Sequence, residues 1–361
     1  MRPFIDGFDA IQEQFRHWWR RENDHPLLYV PAHWPKAAEL PPPPADPRDN
    51  YLDSDTIFRR ERARAELITF GGVCFPFYSP FPPAASFYGA RPTFTHQTIW
   101  HQPVLQGEHP FARLAFDAHS SMWQDTVTMF TRLTELADGH FYVSLPSCYS
   151  PLDLLESLRG GTDLCMDLIE RPEEVMAAQG VILNAWRRQY DTFYAIHQRH
   201  FEGSGASFLP LWAPGRSYAL QCDLCCMISE DMFERFVVPE VEAQVQWVDY
   251  SLFHLDGPDA ARHADRLLAI PGLHGIQWQK GVNGGKTLSW LPLLQKIQRA
   301  GKLIMVDALP HEVEELCANL EPEGLFVGTA VETKEEADRL LRKCGTSTSL
   351  RHSPGVRQGT P

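Results

Sequence analysis

Along the C-terminal half of the chain, short apolar runs alternate with stretches in which apolar positions recur every three or four residues. Ser251–Asp256 (SLFHLD) is a run of strand type, and Asp259–Ala269 follows it with Ala260, Ala264, Leu267 and Leu268 on one helical face. Leu273–Gln279 is the next strand, and LSWLPLLQKIQRAGK is a helix closed near Gly301, a residue suited to a C-cap. KLIMVD is a third strand, followed by a helix from Pro310; GLFVGTA is a fourth, followed by a helix over Lys334–Arg342. Strand–helix units repeating at about 25–30 residues with short connections predict parallel strands joined by right-handed crossovers.

The N-terminal half offers further strands at PLLYVPA, GGVCFPF, HFYVSLP and ASFLPLW, separated by longer helical insertions, notably Pro172 to about Phe201. Four and four make eight, which predicts an α/β fold of the (β/α)8 TIM-barrel type, with an N-terminal helical extension and insertions. FRHWWRRE reads as an aromatic helix with charged flanks. LPPPPADP suits neither helix nor central strand and is read as a surface excursion. ARPTFTHQTIWHQPVL alternates like a hairpin added at the barrel mouth. Residues 1–345 are expected to form one domain, and the polar stretch 346–361 a disordered tail. The rival, an open doubly wound sheet, would place a Gly-rich turn after its first strand, where this chain has PAHWP.

Composition narrows the class. The 361 residues are 43% hydrophobic and 22% charged, as in globular proteins. A formal charge of −13 without a Lys/Arg-rich run excludes a nucleic-acid track and disfavours an anionic membrane surface. No apolar run has the length of a membrane span, and the N-terminal segment lacks the apolar core of a signal peptide. The eight cysteines are therefore expected to be reduced thiols in a cytoplasmic protein.

Candidate chemistry gathers at the C-terminal ends of the strands, where barrels of this type carry their active sites. His254 and Asp256, two apart on one strand, share a face just before Gly257-Pro258. They suit metal ligation or acid/base work, and equally an imidazole–carboxylate bond that anchors the loop. Equivalent positions on the following strands hold Gln277, Trp278 and Gln279, then Asp307, then Glu332 beyond strand eight. Two amides and an aromatic suit a neutral or weakly charged organic substrate, although Trp278 would also pack under a helix and Asp307 would also cap one. In QCDLCCMIS, Asp223 is a further catalytic candidate within reach of the mouth, and Ser229 suits the N-cap of the next helix. Cys222 and Cys225 form a lone C-x-x-C; without a second pair, buried thiols are the better reading. GVNGGKT fails as a phosphate loop because its first glycine would fall on Lys280. His263, at the edge of its helix's apolar face, is read as a surface residue.

FHLDG, HGIQWQKG, MISEDMFERFVVPEVE, AGKLIMVDALPHEVEEL and PEGLFVGTAVETKEEADRLL together resemble the uroporphyrinogen decarboxylase superfamily over about residues 10–343. The resemblance implies a (β/α)8 barrel and either of two activities: decarboxylation in the heme pathway, or methyl transfer between a corrinoid and a thiol. The superfamily's thiol methyltransferases hold zinc with His-x-Cys at strand five and a cysteine near strand eight. Here His254 matches, Asp256 replaces the cysteine, and Glu332 stands near strand eight, so a divalent metal would rest on His254, Asp256 and Glu332. The expected function is corrinoid-linked methyl transfer from a small methylated compound, with the corrinoid carried by a partner protein. The alternatives are a decarboxylase using loop arginines such as Arg91, Arg113 and Arg216, and a ligand-binding barrel without catalysis.

Overall fold

The computed structural model describes residues 4–346 and 350–352. An N-terminal helix, Phe8–Trp19, leads into β1 (Leu27–Ala32). After the helix Ser54–Leu67 come β2 (Thr69–Gly72), β3 (Phe77–Tyr78) and the ribbon β4 (Pro92–Phe94)–β5 (Ile99–His101). The helix Ser121–Ala137 precedes β6 (Tyr142–Val143), and helices Pro151–Arg159, Gly161–Glu170 and Pro172–His197 precede the ribbon β7 (Ser204–Gly205)–β8 (Trp212–Ala213). The remaining strands are β9 (Ser217–Gln221), β10 (Tyr250–Asp256), β11 (Gly275–Gln279), β12 (Leu303–Asp307), β13 (Leu325–Gly328) and β14 (Leu350–Arg351).

The central sheet runs β9-β10-β11-β12-β13-β1 in parallel, with β2 antiparallel to β1 and β14 antiparallel to β2. β3 and β6 form a separate parallel pair. β11 and β12 are buried on both faces apart from their last residues. That is the pattern of parallel strands covered on either side. The four strand–helix units read from the C-terminal sequence are the four parallel strands β10 to β13, and Thr333 closes a capping box with Glu336 at the last helix.

The N-terminal half departs from the expected strands at two places. GGVCFPF is two strands: β2 ends at Gly72, whose φ of 66° turns the chain, and β3 starts at Phe77. ASFLPLW is not a strand; Ser207 at φ 52° and the turn bonds Ser207 N–H to Gly205 and Leu209 N–H to Ala206 coil it between β7 and β8. The strand that precedes β10 in the parallel sheet is SYALQ (β9), which has no β-branched residue to announce it. The hairpin at residues 92–101 is present as expected. Most of the expected tail lies outside the described residues; within it, Leu350–Arg351 pairs with β2, and Arg351 Nη1 donates to Gly72 O at 2.7 Å.

The aromatic N-terminal helix buries Phe8, Ile11, Phe15, Trp18 and Trp19, a helical spacing. Trp19 donates through Nε1 to Trp212 O at 3.0 Å and packs on Tyr250 and His274, which begin β10 and precede β11. This helix therefore closes the N-terminal edge of the sheet and leaves the C-terminal edge to the loops.

Candidate functional site

In register, a parallel sheet points side chains of paired residues to one face. His254 pairs with Gln277 and with Gln221, and Asp256 with Gln279. Asp307 pairs with Gly328, and Gly328 with Tyr29. The sheet therefore gathers His254, Gln277, Asp256, Gln279, Asp307 and Tyr29 at its C-terminal edge.

Contacts bear out that face. His254 Nδ1 is in hydrogen-bond contact with Gln277 Oε1, and because an amide oxygen only accepts, Nδ1 carries the hydrogen. Phe208 sets its ring edge-on against the imidazole at 5.2 Å. Burial pushes the Asp307 carboxyl up, partly opposed by the charge of His254. The buried Tyr29 hydroxyl donates to the Cys74 sulfur and is pushed well up by burial, by that thiol and by the Asp307 charge. Asp307 itself is exposed to water at the end of β12.

Gly328 makes the placement of Asp307 possible. A Cβ at residue 328 would lie 2.2 Å from Asp307 Oδ1. Gly328→Ala is expected to push the carboxylate away, a flexible group that yields cheaply. The melting temperature should stay within about 3 °C of wild type, a shift worth under about 1 kcal/mol. Affinity for ligands at this edge should fall; thermal melts and ligand titration on the same samples separate the two effects.

A second group of acids stands beside this row. Asp223 is pushed up to about 7 by desolvation first, then by the charges of Asp153, Asp256 and Glu156. Asp153 is buried behind it at the start of the helix Pro151–Arg159, capped by Ser150; its Oδ1 accepts from Leu224 N–H at 3.1 Å. Deeper still, Glu240 Oε2 accepts from Leu152 N–H and Gln179 Nε2. Burial holds the Glu240 carboxyl well above the usual carboxylate range. Among the described residues, two of the four non-glycine residues with left-handed backbone adjoin these groups: Tyr149 beside the acids, and Ser207 next to Phe208, which packs on His254. Strained backbone of this kind concentrates at functional sites.

The expected site residues are therefore sorted. His254, Asp256, Gln277, Gln279 and Asp307 share one edge, and Asp223 adjoins it. Trp278 does not face it: alternation turns the indole the other way, fully buried and 4.6 Å from the Trp290 ring under the following helix. Glu332 lines a groove of about 720 Å³ with His311, Arg339 and Lys343. Among the described residues, no three His, Cys, Asp or Glu side chains converge closely enough to hold a metal ion, so the expected metal set of His254, Asp256 and Glu332 is not assembled. Cys222 and Cys225 are buried, and burial raises both thiols, the condition of unreactive packing residues. His263 is not on the surface: it is fully buried, stacked on Phe233 at 4.2 Å, with Nε2 donating to Cys225 O at 2.9 Å. Arg216 precedes β9 at the opposite edge, paired with Asp191, and Arg91 and Arg113 are exposed.

Tyr29, Phe208, Tyr149, Asp153 and Glu156 adjoin the candidate residues and, Asp153 apart, carry no mark as site residues in the sequence pattern. Only Asp153 carried a signal, three residues after Ser150 at a Ser-Pro helix start.

No family model matches the chain, and no curated protein matches it. A solved structure described as a methyltransferase from Methanosarcina mazei superposes on it with a TM-score of 0.61, over 93% of this chain and 98% of that one, at 7% identity. At that identity the likeness is one of fold, and it extends over nearly the whole of both chains.

Proposed function

We propose that this protein is a methyltransferase of the uroporphyrinogen decarboxylase superfamily type, acting on a small methylated compound. In this reading the sheet closes as a (β/α)8 barrel in one domain, the parallel pair β3–β6 bridging β1 and β9. The observation that carries the reading is the row of polar groups that the parallel register gathers at the C-terminal edge, His254, Gln277, Asp256, Gln279 and Asp307, with the raised Asp223 carboxyl beside it. The methyltransferase fold likeness supports it.

When methyl leaves a heteroatom, the bonding pair stays on that atom, which departs neutral only if it is already cationic or is protonated as the bond breaks. Where the donor is neutral, Asp223 supplies that proton and regains it from solvent; a cationic donor needs none. His254, oriented by Gln277, and Asp307, seated over Gly328, position the compound. A corrinoid on a partner protein would supply the methyl acceptor, as the resemblance implies. Because the donor set for a metal is not assembled, no role is given to one. The acidic edge opposes the alternative of a polycarboxylate substrate, which would meet Asp223, Asp256 and Asp307 with the charge of Asp153 and Glu156 behind them.

The test is methyl transfer to reduced free cobalamin from a panel of N-, O- and S-methylated compounds, followed as methylcobalamin and as demethylated product. Transfer from at least one donor, lost in His254→Ala, is expected. No transfer from any donor, with free or protein-carried corrinoid, overturns the reading.

A further inference from the structure

The carboxylates at this edge lack basic partners. Among the described residues, Asp223, Asp256 and Asp307 form no ion pair, although the chain has 33 lysines and arginines. The charges acting on Asp223 are all negative, from Asp153, Asp256 and Glu156, and only His254 acts on Asp307. Arg262 reaches the same turn but donates to the carbonyls of Cys226 and Ile228.

A second observation points the same way. Asp153 is only 4% exposed, and its Oδ2 has no hydrogen-bond partner, while Oδ1 is held by Leu224 next to Asp223. A buried carboxylate oxygen left unpaired is a strong acceptor of positive charge. Aromatic surface lies within the same field. Tyr149, at φ 46°, stands among Asp153, Asp223 and Glu156 and packs edge-on against Phe81 at 5.7 Å.

We propose that this acidic and aromatic edge binds an organic cation, a methylated ammonium compound. The donors are too dispersed for a compact inorganic ion, since no three of them converge. An ammonium ion that spreads its charge over methyl groups is larger, presents apolar surface to Tyr149, and draws on the field of several separate carboxylates. As a methyl donor such a cation leaves as a neutral amine. That role rests on the methyl-transfer reading above, whereas the binding does not.

The test compares choline with its neutral isostere 3,3-dimethyl-1-butanol by titration calorimetry on the full chain, with acetate as an anionic control. Choline is expected to bind at least about tenfold more tightly than the isostere. That advantage should shrink severalfold in Asp223→Asn and in Asp256→Asn, and weaken with added salt. Both positions are exposed, so both variants are expected to fold, and the wild-type comparison needs neither of them. Equal binding of the two probes, tighter binding of acetate, or an advantage untouched by both substitutions overturns the proposal. Choline binding without methyl transfer from any donor would leave this site assignment standing and remove the reading it was joined to.

Discussion

Asp223→Asn is expected to lower methyl transfer from a neutral methylated donor by about 10²- to 10⁴-fold, the range for loss of a general acid, while making the folded protein more stable at neutral pH and above. Both effects have one origin. Desolvation and three neighbouring carboxylates raise the folded carboxyl to about 7, above its value in the unfolded chain. The folded state thus holds this proton more tightly than the unfolded state does. Its contribution to stability is fully present below about pH 4 and is lost as pH rises through about 7. An amide cannot ionise, so the variant escapes that loss. The wild-type rate should fall above about pH 7 as the acid ionises, and the variant's residual rate should lack that limb. A pH–rate profile, with thermal melts on either side of neutrality, checks both. A variant equally active, or less stable than wild type above neutral pH, removes Asp223 from the role given to it. A gain in stability joined to a loss of function is the signature of a site held at the expense of the fold.

The largest expected loss of stability is at Gly72→Ala, about 3 kcal/mol or more. Residue 72 has a φ of 66°, where a side chain costs about 1–2 kcal/mol by itself. The added Cβ would also stand 2.0 Å from Leu28 O, the carbonyl that accepts from Val73 N–H at 2.8 Å. Backbone, unlike the carboxylate opposite Gly328, has nowhere to go. The substitution strains the junction of β1 and β2 and the turn that brings Cys74 to Tyr29, so it should disturb the site as well as the fold. The shift in the urea midpoint measures it. A loss under about 1 kcal/mol would mean that β2 does not leave β1 in the register described.

Much of this architecture is readable from local pattern. The C-terminal units were legible because Leu252–Leu255, Ile276, Ile304–Val306 and Leu325–Val327 are runs buried on both faces, each followed by an amphipathic helix. The N-terminal half was read less well where chain conformation overrides composition. Ser207 and Gly72 adopt positive φ inside apolar stretches, so ASFLPLW coils and GGVCFPF breaks in two. His263 turns inward because Ala260–His263 is a 3-10 turn ahead of the α-helix Ala264–Ala269, so the wheel of one continuous helix over Asp259–Ala269 does not apply.

Sequence alone determined the period of the strands and helices, the side of β10 on which His254 and Asp256 stand, and the acidity of the chain, because all three depend on residue type and on alternation along one segment. Only the tertiary structure decided which strands are neighbours. That order sets Gln277 against His254, Gly328 under Asp307 and Asp153 behind Asp223, and it carries Trp278 to the helical side and Glu332 into a separate groove. The physical reason is that a carboxyl's protonation and an imidazole's tautomer are set by what lies within a few ångströms, and those neighbours come from segments some tens of residues away in the chain.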